Sequence, residues 1–349
     1  MHDIKQLIKI SKYAGMREDL VQAGGGNSSI KLSPERMLIK ASGYQLADIT
    51  ETDGYAVVNP SVIADFFEKI PINKVKKEDE RILLDQAYLE GKRPSIETFL
   101  HSITGRVTLH THAVLVDILA SSKKGMEILK TLFPKALFVS YATPGIELAV
   151  EYFRSYQRNG EKETDTIFLQ NHGLIISAET DTEVIKKTEE VLGKIAEYLH
   201  IDYRKYSDST LLHEMLSECG LTENIVYQVQ SRKVYHAYES FVEHIWKHAI
   251  CPDCVVYCGR KFLEIEEGLE EESIRKFIRE YGYPVVMLYR GQFYIAASSV
   301  KKAKEIESML AFSAEIAVAG SGQDLSYLTD KEQDFLLNWD AEKYRKNMK

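Results

Sequence analysis

Leu109-His110-Thr111-His112 sets two histidines at i and i+2 directly after the apolar run Val107 to Leu109. On a strand successive side chains alternate, so both imidazoles project to one face and both could reach a single cation. A catalytic metal site needs three protein ligands and an open position. His172 is the candidate for the third: it follows Thr166-Ile167-Phe168-Leu169 and precedes Gly173, which lets the chain turn sharply. Glu97, in Pro94-Ser95-Ile96-Glu97-Thr98, is the candidate carboxylate. A His-x-His alone is more often an ordinary strand pair, and an acidic residue in a first helical turn is favoured by the helix dipole without catalytic duty. The company these residues keep is what raises the metal reading.

Two further stretches offer donors. Gly24-Gly25-Gly26-Asn27-Ser28-Ser29 combines a flexible backbone with small polar side chains, as a phosphate cradle would, although it is neither a Walker loop nor a dinucleotide fingerprint. Ser42-Gly43-Tyr44 ends the apolar strand Met37 to Ala41 and is a second potential anion contact.

The elements that must hold these residues follow from periodicity. Apolar spacing from Ile4 to Met16 suits an amphipathic helix; Ala56 to Val58 is a strand; Pro60 starts a helix; Asp79 to Leu89 is helical. Pro94 disfavours helix at Arg93, and Ser95 stands at an N-cap, which puts Glu97 in the first turn of a helix toward His101. Helices are expected at Val114 to Ala120, Met126 to Leu132, Ile146 to Tyr156 and Thr180 to Leu199. Strands are expected at Ala136 to Val139, Thr166 to Leu169 and Leu174 to Ser177. The result is a layered α/β domain, a mainly antiparallel sheet between helices rather than a doubly wound sheet.

Past residue 204 a smaller α+β extension is expected. It has a helix from Val226 to Ala249, a strand Val255 to Tyr257, an acidic helical stretch from Glu264 to Tyr281, a hairpin through Tyr289-Arg290-Gly291, and a helix from Ser299 to about Ala319. The expected division is 1–203 and 204–349, the second part a lid or oligomer contact. Cys251-Pro252-Asp253-Cys254, preceded by His244 and His248, imitates a zinc knuckle but reads equally as a turn.

The chain carries a formal charge of −8 over 349 residues, and its lysines and arginines are scattered, so nothing marks a nucleic-acid or anionic-membrane partner. No apolar run nears the roughly 20 residues that span a bilayer, and the N-terminus lacks a secretion-signal profile, so a cytoplasmic protein is expected.

Six motifs stand in an order that resembles the class II aldolase/adducin family over roughly residues 5 to 200. They are Gly25-Gly26-Asn27-Ser28-Ser29, Lys40-Ala41-Ser42-Gly43, Pro94-Ser95-Ile96-Glu97-Thr98 with His101, His110-Thr111-His112, Tyr141-Ala142-Thr143-Pro144-Gly145 and Asn171-His172-Gly173-Leu174. The spacing from Glu97 to His110, and the tail Phe335 to Asp340, look like the aldolase half of bifunctional rhamnulose-phosphate aldolase/dehydrogenase proteins.

The resemblance implies that His110, His112 and His172 bind a divalent metal, zinc first, with manganese, cobalt or magnesium as alternatives. It implies Glu97 as general acid/base, work that near neutrality requires the site to raise its pKa, and Asn27, Ser42, Gly43 and Ser95 at a substrate phosphate, with Tyr141 the candidate acid for the leaving alkoxide. Ile96 stands where many relatives have a second serine, removing a hydroxyl from that phosphate site. The implied reaction is cleavage or formation of a carbon–carbon bond in a ketose phosphate through an enediolate. The implied partner is a small sugar phosphate or sugar acid, and the implied assembly a homo-oligomer, a tetramer by analogy. Epimerase, decarboxylase or dehydratase chemistry on related substrates, and a non-catalytic adducin-like module, are the alternatives.

Overall fold

The computed structural model describes residues 2–160, 164–222, 224–247 and 249–338, in two compact units, 1–203 and 204–349. The first unit runs α1 (His2–Gly15), β1 (Asn27–Ser33), β2 (Arg36–Lys40), β3 (Tyr55–Val58), α2 (Pro60–Lys69), α3 (Asp79–Ala87), β4 (Tyr88–Gly91), α4 (Thr98–Ile103) and β5 (Val107–Thr111). It continues through α5 (Val114–Ala120), α6 (Gly125–Leu132), β6 (Leu137–Val139), α7 (Ile146–Arg158), β7 (Thr166–Leu169), β8 (Gly173–Ala178) and α8 (Asp181–Leu199).

Its strands form one sheet in the order β4-β3-β2-β1-β5-β8-β7-β6, antiparallel except for the β6–β7 pair. Alternation along the central strands builds an apolar core on each face. Val107, Leu109, Leu174 and Ile176 pack with Leu7 and Ile10 of α1 and Leu192 and Ile195 of α8. Ile175, Ile167 and Leu169 face the other way, onto Phe99 of α4, Leu148 of α7 and Ile63 of α2. This is the layered α/β fold expected, with a mainly antiparallel sheet between helices.

The asymmetry of β5 matters most. Its apolar residues anchor one face, so Thr108 and His110 are carried to the other, where α4 lies. Asn27 of β1 pairs with His110 in the ladder and therefore shares that face. The segment before the glycine run is tied down by Arg17, fully buried, whose guanidinium takes both oxygens of Asp19 at 3.0 and 2.8 Å and also pairs with Glu189 of α8. The Asp19 carbonyl accepts the Val114 amide at 2.8 Å, linking that segment to the start of α5. At the far edge the helix expected through Leu89 stops at Ala87, because Tyr88–Gly91 pairs with β3 as an edge strand.

The second unit runs α9 (Arg204–Glu218), β9 (Ile225–Gln228), α10 (Arg232–Trp246), α11 (Pro252–Cys258), β10 (Leu263–Glu264), α12 (Glu270–Tyr281), β11 (Val286–Tyr289), β12 (Gln292–Ala297), α13 (Val300–Ala319) and α14 (Asp330–Asn338). Its sheet order is β10-β11-β12-β9. The expected hairpin is there: Arg290 and Gly291 both take positive φ, 49° and 71°, as a two-residue turn between twisted strands requires.

Three expectations are corrected. Glu264 closes the strand β10, paired with Leu288, so the acidic helix expected from Glu264 begins only at Glu270. Ile225–Gln228 is a strand against β12, not the start of a helix, as its β-branched and aromatic run favours. Val255 to Tyr257 lies in a helix, because Pro252 occupies its first turn and Cys254, Val255 and Cys258 fall on one buried helical face, which outweighs the strand preference of Val255-Val256. The final part of the tail motif, from Trp339, lies outside the described residues, as does His248. Among the described residues no helix is long and apolar enough to cross a membrane.

Candidate metal centre

His110 and His112 leave β5 on one face, and His172 comes from the tight turn between β7 and β8. Asn171 in that turn has φ 53° and Gly173 φ 150°. A Cβ on Gly173 would collide with the Thr111 carbonyl, so only glycine lets the turn lie this close to the end of β5. Gly25 has the same duty on the other side, since a methyl there would meet His112 Nδ1 at 2.8 Å. These glycines are the floor under the imidazoles, a use the cradle reading did not anticipate.

The three rings surround one point. Their candidate ligand nitrogens all lie within 4.8 Å of one another, and Nε2 of His110 and of His112 are 3.2 Å apart. Two nitrogens about 2.0–2.1 Å from one tetrahedral ion stand roughly 3.3 Å apart, so the spacing fits a shared cation. The Nδ1–H of His110 donates to the Leu174 carbonyl at 3.0 Å, which fixes the tautomer and leaves Nε2 as a bare lone pair. Burial holds His110 down to about 3 and also lowers His112, so both are neutral ligands at neutral pH.

Glu97, at the start of α4, reaches into this cluster with Oε2 3.4 Å from His110 Nε2 and Oε1 3.5 Å from His172 Nε2. Its Oε2 is buried without a hydrogen-bond partner. Burial raises its pKa, but His110 and His172 beside it, once protonated at low pH, outweigh this and hold it below the usual carboxylate range. Glu97 therefore stands as a carboxylate at neutral pH.

The donors separate into two groups. Asn27 keeps its buried Nδ2 without a partner, while its Oδ1 accepts the Ser28 amide at 2.8 Å. Ser28 turns to the opposite sheet face, its hydroxyl paired with Ser11 of α1 at 2.7 Å, so alternation removes it from the side of Asn27 and His110. The Ser42-Gly43 turn is exposed, with Gly43 at φ 83°, and the Ser42 amide bonds the Arg93 carbonyl at 2.9 Å, drawing it toward Ser95. The Ser95 hydroxyl accepts the Glu97 amide at 3.3 Å. Ile96 packs into the apolar layer of α2, α4 and α7. Tyr141 is 62% exposed on the loop after β6, its amide against the Gln170 side chain.

Sequence reasoning assigned no role to three residues. Lys40 is almost fully buried, and its ammonium donates to the carbonyls of Gly24 at 3.3 Å and Tyr44 at 2.8 Å, clamping the two donor loops together. Burial lowers its pKa, with the nearby Glu97 charge opposing. Its signal was a charge closing an apolar strand. Asp117 is the one charge in α5; burial pushes it up to about 6 against the pull of nearby His172, and its Oδ1 is buried unpaired.

His101, fully buried, bonds Ser29 Oγ through Nδ1 at 2.7 Å. Burial lowers its pKa from 6.5 to about 4, with Glu97 opposing. The unfolded chain therefore binds a proton that the folded chain refuses. The stability this histidine contributes is complete above about pH 6.5 and is lost as pH falls toward about 4. Between pH 7 and 5 the wild type should lose about 2 kcal/mol more unfolding free energy than His101→Gln, read from urea titrations of metal-free protein.

Residues 5–198, more than half of the chain, match the family described as Class II Aldolase and Adducin N-terminal domain. No curated protein matches the sequence. Among solved structures, the N-terminal class II aldolase domain of a conserved protein from Thermoplasma acidophilum is 24% identical over 56% of this chain and 93% of that one, with a TM-score of 0.49. An aldolase II superfamily protein from Pseudomonas syringae is 16% identical over 57% and 74%, with a TM-score of 0.43. The L-fuculose-1-phosphate aldolase from Thermus thermophilus is 15% identical over 57% and 95%, with a TM-score of 0.38.

Proposed function

Since the chain belongs to the class II aldolase/adducin family, we propose that it is a metal-dependent aldolase, making or breaking a carbon–carbon bond in a ketose phosphate of the rhamnulose- or fuculose-phosphate kind. The observation that carries this reading is the Glu97 carboxylate, 3.4 and 3.5 Å from two of three imidazoles that converge on one point. A divalent ion held by His110, His112 and His172, zinc first among the candidates, supplies positive charge to the carbonyl and hydroxyl oxygens beside the reacting carbon.

The protein's own groups do the rest. In the synthetic direction the Glu97 carboxylate takes the proton from the α-carbon of dihydroxyacetone phosphate, and the resulting enediolate adds to an aldehyde. Tyr141 is assigned as the donor to the new alkoxide. Its exposure supports donation across a subunit boundary in a homo-oligomer, a tetramer by family resemblance. The unpartnered Nδ2 of Asn27, the Ser42-Gly43 turn and Ser95 are assigned to the phosphate, with the Lys40 charge behind them. Ser28 is assigned to the scaffold through Ser11.

The test is exchange of the α-proton in deuterated water by the zinc-loaded protein. Exchange with dihydroxyacetone phosphate and not with pyruvate is the expected result. Failure with both, in a protein that holds its ion, would overturn the aldolase reading in favour of the decarboxylase or dehydratase chemistry of the same family.

A further inference from the structure

The four cysteines, at 219, 251, 254 and 258, all lie in the second unit, and nothing proposed above uses them. Cys251 immediately precedes α11, and the Cys254 amide bonds back to the Cys251 carbonyl at 3.2 Å, closing a turn. Such a closure brings the two Cα atoms within about 7 Å, the upper end of the span a disulfide bridges. The sulfurs already touch, Sγ to Sγ at 3.4 Å.

Their surroundings differ. Cys251 is half-buried, whereas Cys254 is fully buried with its sulfur 3.0 Å from the Ser313 hydroxyl of α13. Cys258, one helical turn on, is buried with its sulfur toward the Ile306 carbonyl. Among the described residues, which do not include His248, the zinc-knuckle alternative does not bring three ligands together. Among the described residues the one group with metal-binding spacing is the three histidines of the first unit, and His244 spends Nδ1 on the Tyr327 hydroxyl.

We propose that Cys251 and Cys254 form a reversible dithiol–disulfide couple that exchanges with disulfides of the glutathione class. The accessible Cys251, as thiolate, attacks one sulfur of the external disulfide; that bond breaks, and the departing thiolate takes up the proton Cys251 released. Burial pushes the Cys254 thiol up, so it stays protonated at this stage. Cys254 then loses its proton, attacks the Cys251 sulfur of the mixed disulfide, and expels the second external thiol, which takes that proton. Two protein thiols are oxidised to one disulfide, and the external disulfide is reduced to two thiols. The bridge pins the start of α11, which packs on α13 and α14 of the same unit.

Incubating the full chain with oxidised glutathione tests this by mass and by thiol count. The wild type should lose two of its four thiols and the mass of two hydrogens, with the bridge mapping to Cys251 and Cys254, and reduced glutathione should reverse it. Cys254→Ser should stop at a single glutathionyl adduct on Cys251. Cys251→Ser, at a half-buried position, should form no bridge. Persistent glutathionyl adducts without an internal bridge in the wild type, a bridge mapping to Cys219 or Cys258, or stoichiometric zinc lost in Cys251→Ser but not in His172→Ala would each overturn the proposal. None of these readouts depends on aldolase activity.

Discussion

Glu97→Gln should lower turnover about 1,000-fold while one divalent ion per chain remains bound. A positioned general base is worth about 10²–10⁴-fold, and glutamine keeps the shape of glutamate while losing the site for the proton. The geometry makes metal retention the decisive half of the result. Both Glu97 oxygens approach imidazole nitrogens, at 3.4 and 3.5 Å, so the carboxylate stands either as a base beside the ion or as a fourth ligand to it. A base leaves metal content and KM nearly unchanged on substitution and abolishes α-proton exchange. A fourth ligand costs the ion itself, and metal analysis of the purified variant separates the two.

The parts of the site readable from the sequence are those whose signal is local. His110 and His112 share a face because strand alternation is a property of neighbouring residues, and His172 is flagged by the glycine that follows it. The same locality explains the sheet and its flanking helices, whose apolar periods are strong. What escaped depends on distant packing. Gly25 looks like a phosphate loop until His112 is seen lying against it, and Ser28 looks like a ligand until Ser11 arrives from α1. Val255-Val256 has the composition of a strand and becomes helical because Cys254, Val255 and Cys258 are needed on one face of the second unit. The direction of the Glu97 shift is also non-local: burial pushes one way, and histidines from two other elements push harder the other way.

His172→Ala should purify without the ion that the wild type holds, and should fall about 1,000-fold or more in turnover, a loss that added zinc does not restore. The ion is asked to supply several kcal/mol, and each factor of ten corresponds to about 1.4 kcal/mol. His172 is a better test than His110. His110 is completely buried and holds the Leu174 carbonyl, so its removal would leave a cavity and an unpaired acceptor and would confound metal loss with unfolding. The His172 side chain sits in a turn and keeps 12% of its surface exposed, so truncation there spares the core.

Chelation provides the matching experiment without any substitution. Wild type stripped of metal should match His172→Ala in activity and recover on addition of zinc, which the variant cannot do. Two neutral imidazoles on β5 remain in the variant, but two nitrogens fall short of the three protein ligands that a catalytic site uses. Equal activity of stripped and loaded wild type would mean that the converging imidazoles serve the scaffold alone, and the family's non-catalytic use of this fold would then be the better reading of the chain.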